Sequence, residues 1–172
     1  EASKDLSTCA LLWESLSEDN ADRKTLLLNL GGGMITDLGA FVASLYKRGI
    51  SFYNIPTSLL AMVDAAIGGK CGIDFGGFKN QIGVFQNAEQ TFIYPYFLDT
   101  LPELEFWSGM AEMYKHALIS DAEHWKALKV FDKAEVTAHL IEHSAALKAE
   151  IVANDPLENG ERKKLNFGHT IG

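Results

Sequence analysis

Apolar residues recur at Leu6, Cys9, Leu12, Trp13 and Leu16, a spacing that places them on one face of a helix. Asn20-Ala21-Asp22 then reads as a turn. Residues 25–30 form an apolar run that stops at Gly31-Gly32-Gly33. That is the pattern of a buried parallel strand followed by a loop of bare backbone. Thr36 or Asp37 is placed to cap the next helix, which is predicted to run to about Arg48, before Gly49. Residues 50–55 predict a second short strand, stopped by Pro56. Thr57 or Ser58 then caps a helix through about Ala66. Strand, helix and strand in this order predict an α/β layer with a parallel sheet.

The texture changes at Ile67. Gly68, Gly69, Gly72, Gly76, Gly77 and Gly83 crowd together and alternate with Lys70, Asp74, Lys79 and Asn80. This reads as a loop or irregular hairpin that presents amides and side chains to a ligand. A short strand is expected at 91–94. Helical periodicity dominates from Pro102 onward, over 103–120, 122–130 and 134–153. The predicted organisation is an α/β part at 1–100 and a helical part at 101–172, without internal repeats.

Composition narrows the class. Of the 172 residues, 47% are hydrophobic and 22% charged, as in an ordinary globular domain. The longest apolar runs are too short to cross a bilayer, and the polar start Glu1-Ala2-Ser3-Lys4-Asp5 is unlike a secretory signal. A formal charge of −8 without a basic stripe makes nucleic acid an unsuitable partner. Cys9 and Cys71 read as reduced thiols, which points to the cytoplasm.

Four stretches have chemical potential. Gly31-Gly32-Gly33-Met34-Ile35-Thr36-Asp37 lets backbone approach a ligand and aims a helix N-terminus at an anion, though it is neither a Rossmann fingerprint nor a P-loop. Asp64, Lys70, Lys79 and Asn80 suit a phosphorylated, polyhydroxylated molecule: lysine supplies point charge, and Asp or Asn reads hydroxyls. Glu112 and Lys115 share a helix face, as an ion pair or as part of a site. His116, four residues from Glu112, has the spacing of a two-ligand metal pair but reads more simply as a surface or core histidine. Lys148, Arg162, Asn166 and His169 offer cations, an amide and an imidazole. The last three share a face if the segment is helical. His139-Leu140-Ile141-Glu142-His143 matches the inverted zinc-peptidase pattern, but too little chain follows for a third ligand, and the match is read as chance.

Taken together, these blocks resemble 3-dehydroquinate synthases over the whole chain. The resemblance rests on Gly31 to Asp37, Arg48-Gly49, Pro56-Thr57-Ser58-Leu59-Leu60-Ala61, Val63-Asp64, Gly68-Gly69-Lys70, Lys79-Asn80, Gly109-Met110-Ala111-Glu112, Lys115, Lys148 and Leu165-Asn166-Phe167-Gly168-His169-Thr170-Ile171-Gly172. It implies an NAD-binding α/β domain, then a helical domain, with the active site in the cleft between them. Glu1, Lys4, Gly33, Met34, Ile35, Thr36, Asp37, Thr57, Ser58, Lys70, Lys79, Phe97, Leu98, Asp99 and Thr100 would contact NAD. Glu112 and His169 would bind a divalent metal, zinc or cobalt. Asp64, Lys70, Lys79, Asn80, Lys115, Lys148, Arg162 and Asn166 would hold a sugar-acid phosphate, with Lys115, Lys148, Arg162 and Asn166 at the reacting centre. A homodimer is implied as well.

Ser58 and Cys71 stand where the family usually has threonine, and Phe78 replaces a common glycine. The resemblance also implies strands before Glu1 and a further histidine after Gly172. The chain is therefore expected to be a fragment with little or no activity alone. Rival readings are another sugar-phosphate cyclase, such as 2-deoxy-scyllo-inosose synthase, and a non-catalytic folded piece. Metal-dependent glycerol dehydrogenases share the broad fold but are not expected to carry this lysine set.

Overall fold

The computed structural model describes residues 3–129 and 132–168. The chain divides into two compact units. One comprises Glu1–Thr57 and Gly69–Tyr94, the other Ser58–Gly68 and Pro95–Gly172.

The first unit is an α/β layer. Helix α1 (Leu6–Glu18) starts at Asp5, whose carboxylate accepts the Thr8 amide at 2.8 Å. Strands β1 (Leu26–Gly31), β2 (Ser51–Pro56) and the short β5 (Gln90–Thr91) form a parallel sheet in the order β1-β2-β5. The β1–β2 register runs from Leu26 opposite Ser51 to Gly31 opposite Pro56. Helix α2 (Gly33–Leu45) is the crossover between them, as parallel neighbours require. The glycine-rich segment forms an antiparallel hairpin, β3 (Lys70–Phe75) and β4 (Phe78–Phe85), with an irregularity in its register between Ile73 and Phe75. Gly72 and Gly83 face each other in it, and a Cβ on Gly83 would lie 2.5 Å from the Cys71 carbonyl oxygen. Cys9, Leu38, Phe41, Val42, Phe52 and Ile73 build the core.

Several details differ from the sequence reading: the strand expected at 91–94 is Gln90–Thr91, and the helices expected at 122–130 and 134–153 run Ala122–Ala127 and Ala138–Asn154. Helix α2 begins at Gly33, so Gly32 occupies the cap position and Thr36 lies inside the first turn, its hydroxyl donating to the Gly33 carbonyl at 3.0 Å. The run at 25–30 is indeed a strand, but at the sheet edge. Leu26, Leu28 and Leu30 are 43, 57 and 56% exposed, because alternate residues share one face of the strand and theirs is the face opposite buried Asn29.

The second unit is helical. Helix α3 (Glu103–Ser120) buries Phe106, Met110, Met113, His116 and Ala117, one stripe at helical spacing. Helix α4 (Ala122–Ala127) is capped by Asp121, and α5 (Ala138–Asn154) by Thr137. Ser58 Oγ accepts the Ala61 amide at 3.3 Å, and the helix it opens widens into a π turn, Ala61–Ala65. Gly109 lets α3 approach this segment closely, since a Cβ there would lie 2.6 Å from the Leu60 nitrogen. Among the described residues no helix is long and apolar enough to cross a membrane.

Two predictions follow from packing. A Cβ on Gly39 would lie 1.9 Å from Asn29 Oδ1, and buried Asn29 donates to Asn54 Oδ1 at 3.0 Å. Gly39→Ala is expected to destabilise the chain by about 3 kcal/mol through overpacking and a broken buried hydrogen bond, read as a lower urea midpoint at unchanged slope. In the helical unit, the buried His124 ring stacks on His143 at 4.4 Å, and its Nε2 meets Ser144 Oγ at 2.8 Å. Burial, followed by the neighbouring His143, pushes His124 below its ordinary 6.5. The unfolded chain therefore gains a proton that the folded chain resists. Stability is full above pH 6.5 and falls as pH drops below it, by up to about 1.4 kcal/mol per pH unit for such a group. Thermal melts between pH 7 and 5 should show this fall, and His124→Gln should lessen it, the remainder coming from buried His116.

Candidate functional site

A buried charged cluster forms the centre of the helical unit. Asp64 comes from the π turn, Glu112, Lys115 and His116 from α3, and Lys148 from α5. Lys148 Nζ lies 2.7 Å from Asp64 Oδ1 and also donates to the Asp64 carbonyl. Lys115 pairs with Glu112 one turn away. His116 Nε2 stands 3.9 Å from Asp64 Oδ1. Lys115, Lys148 and His116 are 7, 6 and 0% exposed, so the charges are paired in a setting that would otherwise expel them.

The electrostatics follow from this packing. Burial by itself would raise the Asp64 carboxyl, but the Lys148 charge and hydrogen bond, then Lys115 and His116, hold it below the usual carboxylate range. Burial depresses the Lys148 ammonium, partly offset by Asp64. Burial also drives His116 down to about 4, so its imidazole is neutral at pH 7 and keeps a lone pair. Neither ring nitrogen has a hydrogen-bond partner among the described residues, an arrangement that costs about 1–3 kcal/mol per unsatisfied group. One ligand atom from each of Asp64, Glu112 and His116 lies within 4.8 Å of the other two. The donor set of two carboxylates and an orphaned imidazole fits a divalent cation.

Arg162 is 2% exposed. Its guanidinium donates to the carbonyls of Pro156 at 2.6 Å and Gly68 at 2.8 Å. The segment Glu161–Asn166 is a 3-10 helix, in which residues three apart share a side. Arg162 therefore turns inward with Leu165. Asn166 is exposed and donates to Glu158 Oε1 at 2.7 Å, so Arg162 and Asn166 do not share the face expected of a regular helix. Sequence reasoning missed Asp155, which accepts the amides of Asn159, Gly160 and Arg162 at 2.9, 2.7 and 3.0 Å and so shapes the loop that delivers Arg162. Its signal was there: Asp before Pro, with Gly five residues on, is turn chemistry.

The α/β unit holds a second constellation. Buried Lys4 donates to Asp37 at 2.7 Å and to Asn80 Oδ1 at 2.6 Å. Asn80 is fixed further by its amide, which donates to Asp74 at 2.8 Å. No side chain caps α2 at Gly32; the Ile35 amide donates back to the Gly32 carbonyl at 3.0 Å, so the helix start offers an anion the amides of Gly33 and Met34. The Thr57 amide ties to the Gly31 carbonyl at 2.9 Å. The hairpin register separates the two exposed lysines: Lys70 lies opposite Phe85, and Lys79 lies at the turn end. In the helical unit, Phe97, Leu98, Asp99 and Thr100 belong to the 3-10 helix Pro95–Thr100, with Leu98 buried. Glu1 and His169 lie outside the described residues.

Comparison with known proteins is consistent across sequence and structure. Residues 1–108 match the 3-dehydroquinate synthase N-terminal family and residues 109–172 the 3-dehydroquinate synthase C-terminal family. The 3-dehydroquinate synthase of Parabacteroides distasonis is 48% identical over the whole chain and 50% of its own length. The Pyrococcus furiosus enzyme is 46% identical over the whole chain and 52% of its length. The chain thus spans about half the length of the curated relatives it matches. A 2-epi-5-epi-valiolone synthase from Streptomyces hygroscopicus, solved with NAD+ and Zn2+, superposes with TM-score 0.89 at 30% identity, covering 98% of this chain and 49% of that one. A 2-deoxy-scyllo-inosose synthase with carbaglucose-6-phosphate, NAD+ and Co2+ gives 0.86 at 25% identity, covering 97% and 48%. With both family matches meeting at residue 109 and leaving no part of the sequence unmatched, the chain belongs to the 3-dehydroquinate synthase family.

Proposed function

We propose that this chain is the central part of a 3-dehydroquinate synthase. Such an enzyme converts 3-deoxy-D-arabino-heptulosonate 7-phosphate to 3-dehydroquinate with loss of phosphate, within the shikimate pathway. The observation that carries the reading is the buried cluster of Asp64, Glu112, Lys115, His116 and Lys148, in a family whose relatives up to 48% identical bear that name. The identity is higher than the 30% to the valiolone synthase, which favours dehydroquinate formation over a related cyclisation.

NAD, when bound, would supply reversible removal of hydride from the carbon that bears a substrate hydroxyl, and the carbonyl so formed acidifies the adjacent C–H. A divalent metal, zinc or cobalt, supplies Lewis-acid polarisation of the reacting oxygen and orients it. The residues of the chain do the holding. The uncapped start of α2 at Gly33 to Asp37 binds the cofactor pyrophosphate, and Lys4, Thr57, Ser58, Lys70, Lys79 and residues 97–100 complete its contacts. Glu112 and His169 ligate the metal. Lys115 and Lys148 hold substrate anions at the reacting centre, and Asp64 keeps Lys148 charged and oriented. Arg162 and Asn166 contact the substrate, and Asn80 reads a hydroxyl. Because phosphate departs with cleavage of a carbon–oxygen bond and NAD ends unchanged, the net reaction is a carbocyclising elimination, not an oxidation. Assembly as a homodimer belongs to the same proposal.

The test is turnover of the seven-carbon acid phosphate by the chain extended at both ends, with NAD and Zn2+ supplied. Lys148→Ala is expected to lower kcat/KM by roughly 10²–10³-fold, the loss typical when one positioned electrostatic donor is removed. The 172-residue chain alone is expected to turn over little or not at all. Full turnover by an extended Lys148→Ala enzyme would remove Lys148 from the reacting centre, and no turnover by the extended parent would discard the proposed activity.

A further inference from the structure

Asp74 is given no task by the proposed function, yet it closes a ring of hydrogen bonds with two residues that are. Ile73 pairs with Ile82 and Phe75 with Phe78, so Asp74 stands opposite Lys79, Asn80 and Gln81. The surplus residues make a bulge in β4, a device that re-aims side chains beside sites. Asn80 takes the left-handed conformation there, with φ +51°, which asparagine tolerates better than most residues. Its amide donates to Asp74 Oδ1 at 2.8 Å. The Asp74 amide donates to the Lys4 carbonyl at 2.8 Å, and Lys4 Nζ donates to Asn80 Oδ1 at 2.6 Å. Lys4 is buried and also holds Asp37 at 2.7 Å. An ammonium donates and does not accept, so the Asn80 side chain turns its oxygen to Lys4. The donor nitrogen then lies at the other end of the amide.

We propose that Asp74 is a positioning residue for substrate recognition: by holding the Asn80 backbone in the bulge, it presents the donor end of the Asn80 amide to a substrate oxygen. The inference rests on the proposed function, in which Asn80 reads a hydroxyl and Lys4 contacts NAD. Lys4 keeps its Asp37 partner whether or not Asp74 is present. Loss of Asp74 therefore weakens substrate binding and spares NAD binding.

Steady-state kinetics of the chain extended at both ends, with NAD and Zn2+ supplied, test the role. Asp74→Ala is expected to raise KM for the seven-carbon acid phosphate about tenfold, the loss of roughly one hydrogen bond. Both kcat and the KM for NAD should stay within about twofold of the parent, as when ground-state binding alone is removed. Asp74→Asn keeps Oδ1 as an acceptor and is expected to match the parent. In an Asn80→Gly background, where glycine keeps the positive φ, Asp74→Ala should add nothing further. A parent-like substrate KM in Asp74→Ala, no rescue by Asp74→Asn, or a further rise in the Asn80→Gly background overturns the proposal. If Asp74→Ala fails to fold, amide hydrogen exchange in the 172-residue parent decides. An Asn80 amide protected like its β4 neighbours supports the role, and one exchanging at the rate of an open chain overturns it. Failure of the proposed function has a different signature, absent turnover by the extended parent with the Asn80 amide still protected.

Discussion

The helical unit depends on one constraint: a carboxylate carried inside a protein must find a cation there. Asp64 meets it through Lys148, and Glu112 through Lys115. Each pair also joins or fixes elements of the unit. Lys148 holds α5 to the π turn through both the side chain and the carbonyl of Asp64. Replacing such pairs by apolar residues is often neutral or stabilising, so stability alone does not account for them.

The π turn serves the same end. A regular helix through 61–65 would rotate the residues after Ala61 to other directions, whereas the wider turn carries Asp64 to α3 and α5 while Met62 and Val63 remain fully buried. π turns often mark functional sites. Asp155 plays the corresponding part on the far side of the cluster. By gathering three amides it bends the chain after α5, so that Arg162 enters the interior and its guanidinium finds the Pro156 and Gly68 carbonyls. Precision at the cluster comes from backbone irregularities held by side chains, with regular helices as their frame.

Much of this was legible in the sequence. Lys148 falls on the α5 stripe Ile141, Ser144, Ala145, Lys148 and Ile151, a charge at an apolar-face position, which periodicity alone flags. The helix at 103–120 follows directly from its pattern. His116 lies on the α3 stripe too, but a histidine there reads as core until its nitrogens are seen to lack partners. Lys70 and Lys79 looked like one phosphate grip because glycines separated them; the antiparallel register sends them to opposite ends of a hairpin. The run at 25–30 named a strand, but its exposure is decided by neighbours that a local pattern does not contain.

The sequence by itself determined the family, the order of strands and helices, and the residue types able to hold a phosphate or a metal, because those depend on local spacing and on side-chain chemistry. Only the tertiary structure decided which groups meet. Asp64 and Lys148 are 84 residues apart, and Lys4 and Asn80 are 76 apart. Their pairing depends on how one helix lies on another and on the register of a hairpin. The state of His116, neutral and unsatisfied, follows from burial and from charges brought in by other elements, and these exist only once the chain has folded.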